Sequence, residues 1–290
     1  MRISDSGLRN TIQIVMLALV LVFPVLAHAA KVKQPEIVLS PKKVGPGDIA
    51  IVTLKNASGP VEGSFNNKPL HFNPVKNGYQ AIVGIDLYLE PGDYPLQVTM
   101  NGKDKEQMMK IVKKKYPLQR LTLAKDKVEL SPESEARVEF EQKKTAAIWP
   151  GESERHWKGP FVNPMPGKKL GTPFGVRRII NDIPKSSHTG VDLTADEGDE
   201  VKAPNAGIVA LVDDLFFSGN SVILDHGQGI YTMFFHLSKI TVQQGQAVSK
   251  GDVVGLVGST GRASGAHLHW GVRIQGARVD PLQLIKLKIE

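Results

Sequence analysis

Short β-branched and apolar runs broken by glycine or proline recur along almost the whole chain, and a chain punctuated in this way cannot build long helices. The 290 residues include 28 Gly and 19 Pro. With no long Ala/Glu/Lys/Leu tract, a helical bundle or coiled coil is excluded. Ile49 to Leu54 is one β-branched run. Tyr94, Leu96, Val98 and Met100 alternate with Pro95, Gln97 and Thr99, the pattern of a half-buried strand. Later runs are Gly207-Ile208-Val209, Ser221-Val222-Ile223-Leu224 and Val253-Val254-Gly255-Leu256-Val257. The fold class expected is all-β. At 41% hydrophobic and 22% charged residues the chain is not disordered.

Four segments are expected. Residues 1–29 have the form of a secretory signal peptide: Arg2 and Arg9, an apolar run from Ile14 to Phe23, then the small-x-small site Ala27-His28-Ala29. Ten uninterrupted apolar residues ending at Pro24 fall short of the roughly 20 that a spanning helix needs. The product should therefore be secreted or periplasmic, with no stable membrane anchor. Residues 30–115 form several short strands, and Gly92-x-Tyr94-x-Leu96-x-Val98 resembles the late strand of bacterial immunoglobulin-like modules, so a small β-sandwich is expected. His71 stands alone there and reads as structural. Residues 116–158 should be a linker with one helix from about 132 to 147, capped by Ser131 and Pro132 and stopped by Pro150-Gly151. From 159 to 290, which holds most of the glycines, a second domain with an antiparallel sheet or barrel-like arrangement is expected. Gly198-x-x-Val201 and Gly245-x-x-Val248 form a weak internal echo within it.

The chain has no cysteine, so disulfides and thiolate chemistry are absent and any metal must be held by histidine and carboxylate. Apart from His28, seven histidines remain. Five of them, His188, His226, His236, His267 and His269, fall within 82 residues. His267 and His269 sit at i and i+2 in a strand-like segment, so both rings face one side. His188-Thr-Gly-Val-Asp192 places an imidazole and a carboxylate four apart, in a stretch whose glycine and β-branched neighbours favour a turn and strand over a helix. His188 and Asp192 with one of the 267/269 pair give a two-histidine, one-carboxylate set, which leaves a tetrahedral zinc ion one open position.

Three segments carry a resemblance: His188-Thr-Gly-Val-Asp192, Tyr231-Thr-Met-Phe-Phe-His236-Leu237, and Ser264-Gly-Ala-His267-Leu-His269-Trp-Gly271. In order and spacing they resemble the signature segments of the lysostaphin-type zinc metallopeptidases, over roughly residues 160 to 282. The resemblance implies one Zn²⁺ per chain held by His188, Asp192 and His269, with His236 and His267 as catalytic histidines. Phe235 departs from it, since a small residue usually precedes the middle histidine. The three-part organisation is also similar to secreted bacterial members that cleave peptidoglycan stem peptides, and it implies those as substrate.

No glutamate lies in these segments, so a histidine is the natural general base, and the roles of His236 and His267 stay open between base and oxyanion donor. His226, in Asp225-His226-Gly227, reads as structural. Arg177 and Arg178 are candidates to meet a substrate carboxylate, and Asn220 and Tyr231 are cleft candidates by position. The net charge of +7 is too diffuse for a nucleic-acid partner, and nothing sets the oligomeric state. Rival readings are a non-catalytic scaffold of the same fold that binds cell wall or activates another hydrolase, a biotinyl- or lipoyl-type carrier, and a sugar-phosphotransferase domain. The first lacks support because all five key positions are filled. A carrier needs a lysine at the hairpin tip, where Asp225-His226-Gly227 has none, and a phosphotransferase would lack a signal peptide.

Overall fold

The computed structural model describes residues 34–122, 130–151, 153–184 and 186–289; the segment 1–29, expected to be a signal peptide, lies outside them. Among the described residues no helix is long and apolar enough to cross a membrane. The chain is all-β, as its punctuation requires.

The first strands are β1 Glu36–Ser40, β2 Ile49–Lys55, β3 Val61–Phe65, β4 Lys68–Pro69, β5 Asn73–Val75, β6 Gly78–Gly84, β7 Gly92–Met100 and β8 Lys103–Ile111. They make two antiparallel four-stranded sheets, ordered β1-β2-β6-β5 and β4-β3-β7-β8. Period-two alternation turns Leu96, Val98 and Met100 of β7 inward, against Val52, Leu54, Ala81 and Val83 of the other sheet.

β9 Leu118–Leu121 and α1 Pro132–Ala146 follow. The Ser131 hydroxyl accepts from the Ser134 amide at 3.2 Å, Pro132 occupies the first turn, and acidic and basic residues sit at the ends that suit the helix dipole. Only Val138 of α1 is buried, so polar contacts dock it. Lys144 pairs with Asp213 at 2.6 Å, Arg137 donates to the Asp214 carbonyl at 2.7 Å, and Glu141 accepts from the Phe216 amide at 2.8 Å.

The remaining elements are β10 Lys169–Leu170, β11 Arg177–Ile180, β12 Ile183–Pro184, β13 Gly190–Thr194, β14 Glu200–Lys202, β15 Gly207–Leu215, β16 Gly219–Gly227, β17 Ile230–Ile240, β18 Ala247–Val248, β19 Val253–Val257, β20 His267–Ile274, β21 Ala277–Val279 and α2 Pro281–Leu284. One antiparallel sheet runs β10-β13-β20-β17-β16-β15-β18, with β19 on β17, β14 on β19, and β21 on β20. One face of it, with Val191, Leu193, Val222, Leu224, Phe234, Leu268 and Trp270, lies in the main core. The internal echo is a repeated turn: Gly198 and Gly245 both have positive φ, each just before a short strand, β14 or β18. A separate three-stranded sheet, β12-β11-β9, takes in a strand from the expected linker, and β9 runs parallel to β11.

The two β regions share side chains. Ile49, Ile82 and Leu87 lie in the same core cluster as Ile274 and Leu284, the Leu87 amide donates to the Arg278 carbonyl at 3.1 Å, and Arg278 pairs with Asp86 at 3.1 Å. At Gly84 the approach is close enough to forbid a side chain: a Cβ there would stand 2.9 Å from both the Cβ and the carbonyl oxygen of Ile274. Gly84→Val should therefore lower the unfolding free energy by about 1–3 kcal/mol through overpacking, measured as a reduced denaturant midpoint.

Candidate functional site

The site is centred on β20. Registry places Asp192 of β13 opposite His269 on one side and Phe235 of β17 opposite it on the other. His188, just before β13, is fixed from behind: its Nδ1–H donates to the Pro173 carbonyl at 2.9 Å, which leaves the Nε2 lone pair facing the site. Three ligand atoms then converge. His188 Nε2 lies 2.9 Å from Asp192 Oδ1 and 2.9 Å from His269 Nδ1, and the last two are 3.0 Å apart. Ligands at zinc–nitrogen and zinc–oxygen lengths define a tetrahedral edge of about 3.3 Å, so the donor set and its spacing fit a metal ion.

Electrostatics point the same way. Burial alone would raise the Asp192 carboxyl, but its close contacts with His188 and His269 outweigh burial and hold the group well below the usual carboxylate range. Burial pushes His269 down to about 4, against the opposing pull of Asp192. A charged Asp192 and a neutral His269, both facing inward beside His188, are an arrangement that a cation stabilises.

Backbone geometry brings the other two histidines alongside. His267 shares a face with His269, two residues on, and its Nδ1–H donates to the Gly265 carbonyl at 2.8 Å. His236 should face away from Phe235 by simple alternation. A positive φ of 65° at His236 and irregular register on both sides of it turn the strand, and both residues line the cleft. His236 Nδ1–H donates to the Thr260 carbonyl at 2.9 Å. The rings of His236 and His267 lie 4.8 Å apart between centroids, each with its Nε2 lone pair left over. Burial, with the nearby His267, lowers the His236 pKa and favours its neutral form.

Phe235, the odd residue of the middle segment, stacks on His269 with ring planes 5° apart and centroids at 5.4 Å. It restrains the ring and removes no polar group. Two contributions escaped the sequence reading because only packing reveals them. A Cβ on Gly190 would lie 2.6 Å from His269 Nε2, so glycine makes room for the ring. Gly219 and Gly261 let two loops touch, with a Cβ at Gly261 only 2.3 Å from the Gly219 nitrogen, and this contact carries Thr260 to His236.

The substrate candidates separate. Tyr231 is not brought to the cleft: it is buried against Trp149, and its hydroxyl donates to the Ile148 and Gly151 carbonyls at 3.1 Å. Asn220 does not line the cleft either, because its side-chain amide donates to the Leu237 carbonyl at 3.0 Å and ties β16 to β17. Arg177 has the wrong parity on β11. Arg178 and Ile180 line the cleft with Gln119 and Leu121 of β9, while Arg177 is exposed and lies outside it.

His226 is fully buried at a distance from the cleft lining, bonded to the Ala206 carbonyl and to the Thr232 hydroxyl at 2.8 Å each. Burial lowers its pKa to about 4. The unfolded chain takes up this proton near pH 6.5, so its contribution to stability is whole above that pH and is lost as pH falls toward 4. Wild type should lose up to roughly 3 kcal/mol more than His226→Gln between pH 7 and pH 4, read from parallel denaturant titrations.

A family model, Peptidase family M23, matches residues 186–281, a span that contains all five converging groups. The crystal structure of a protein assigned to peptidase M23 from Pseudomonas aeruginosa superposes with a TM-score of 0.69 at 34% identity, covering 83% of this chain and 94% of that one. DD-carboxypeptidase/endopeptidase Mpg of Neisseria meningitidis is 37% identical over 128 residues, which is 44% of this chain and 30% of that protein. Peptidoglycan DD-endopeptidase ShyA of Vibrio cholerae is 38% identical over 117 residues, which is 40% of this chain and 27% of that protein. The chain thus spans less than a third of the length of these curated relatives.

Proposed function

The chain belongs to peptidase family M23, a family of zinc metallopeptidases, and from that premise we propose that it is a zinc endopeptidase that cuts the peptide cross-links of bacterial peptidoglycan outside the cytoplasm. The observation that carries the reading is the meeting of His188 Nε2, Asp192 Oδ1 and His269 Nδ1 within 3.0 Å of one another, beside two further histidines whose Nδ1 atoms are held by backbone carbonyls. The endopeptidase relatives that share the matched segment support this substrate class.

His188, Asp192 and His269 would hold one zinc ion. Bound there, zinc supplies Lewis acidity toward a carbonyl and lowers the pKa of a coordinated water toward about 7. The chain's own groups supply the proton transfers. His236 and His267 present Nε2 to the cleft, their Nδ1 atoms being held by carbonyls. One accepts the proton of the attacking water, and the other, once protonated, donates a hydrogen bond to the developing oxyanion. Carbonyls behind both rings hold the tautomer that this needs. We assign residues 1–29 to export, the sandwich within 30–115 to bracing and positioning, and 159–290 to the chemistry, with 116–158 lending the cleft one wall.

The ligand assignment has a distinctive signature in variants. His188→Ala, Asp192→Ala and His269→Ala should each lose zinc by elemental analysis, and activity with it. His236→Ala and His267→Ala should retain zinc while kcat drops about 10²–10⁴-fold. Metal release from His267→Ala with retention in His269→Ala would reverse the assignment. Gly190→Ala, which pushes on the His269 ring, should weaken zinc binding about 10–100-fold, the scale typical of disturbing a ligand's support, measured by competition with a chelator.

The substrate is tested by digesting purified sacculi with the zinc-loaded protein and identifying released muropeptides by mass spectrometry. Cross-linked dimers should fall and monomers rise. Unchanged cross-linking with zinc bound would refute the peptidoglycan reading.

A further inference from the structure

Arg178 of β11 lines the cleft. Its Nε is buried without a hydrogen-bond partner, and no ion pair engages its guanidinium among the described residues, although a buried donor is normally paired. Parity on β11 turns it into the cleft, and the parallel register sets Gln119 of β9 directly beside it. The same cleft holds His188, Asp192, His236, His267 and His269. Its charge is lopsided: Arg178 and Arg262 are its cationic side chains, and Asp192, engaged by both histidines, is the only acid that lines it among the described residues.

A guanidinium whose Nε is buried and unpaired, in a cleft where Asp192 is the only acid among the described residues, is complementary to a carboxylate that arrives with a ligand. We propose that Arg178, with Gln119 beside it, is the specificity-determining anchor for a free carboxylate on the peptide substrate. The substrate class is thereby narrowed to peptides that carry an unamidated carboxylate near the scissile bond. This inference rests on the peptidase reading of the same cleft.

The test separates binding from cleavage. Two synthetic peptidoglycan stem peptides are used, identical except that the carboxylates of one are converted to amides. Binding is measured by calorimetry on the full chain carrying His236→Ala, so that no turnover intervenes. The acid form should bind about 10–100-fold more tightly than the amide. Adding Arg178→Gln should abolish that preference by weakening the acid form alone, and Arg178→Lys should restore part of it. Adding Arg177→Gln, on the outward face, should leave it intact. In turnover by the protein with His236 in place, Arg178→Gln should raise KM for the acid peptide by a similar factor while kcat changes little. Equal binding of the two peptides, or an undiminished preference in the Arg178→Gln protein at unaltered zinc content, would overturn the anchor. Arg178-dependent binding without any cleavage would uphold the anchor and reject the peptidase reading instead.

Discussion

Everything in the cleft is arranged around the mutual approach of one carboxylate oxygen and two imidazole nitrogens, 2.9–3.0 Å apart in each pair. Three such atoms cannot all satisfy one another with protons, because each contact needs a donor and an acceptor and the triangle shares its corners. Asp192 stays charged and His269 stays neutral, so the corner atoms direct electron density at a common point. A metal ion meets that demand directly. The residues around it act on orientation: the Pro173 carbonyl sets the His188 tautomer, Phe235 stacks on His269, and Gly190 leaves the ring its space.

The frame that makes this possible is a sheet whose central strands are held from both sides. β20 lies between β13 and β17, so His269 is positioned by two ladders at once, and its other face is packed into the main core. Rigidity of this kind suits a site whose ligands must hold position to within a few tenths of an ångström. The irregular features sit at the edge of the cleft. His236 adopts a left-handed backbone where the strand twists, and the two touching glycine loops supply the carbonyl that fixes its ring. Local strain there brings a side chain to the same side as its neighbour, which regular pleating would forbid.

The segment between the two β regions takes part in the cleft. β9 pairs with β11, so Gln119 and Leu121 line the cleft beside Arg178 and Ile180. α1 is bound to the end of β15 and the turn after it by Lys144, Arg137 and Glu141. Because the sandwich also contributes Ile49, Ile82 and Leu87 to the main core, its position relative to the sheet is set by apolar packing.

The sequence by itself determined the all-β class and the 132–147 helix to within one residue, because each of these depends on short-range chemistry. Alternation, capping and the i, i+2 placement of His267 and His269 are local, and they survive whatever the rest of the chain does. Tertiary structure decided everything that depends on partners far away in sequence. Asn220 and Tyr231 sit near the motifs in the chain, yet their polar groups are spent on the Leu237, Ile148 and Gly151 carbonyls. Arg177 and Arg178 are adjacent and alike as letters. Which of them faces the cleft was fixed by the pairing of β11 with β9, some 60 residues earlier in the chain, since a strand presents alternate residues to opposite sides and only its partner says which side is inside.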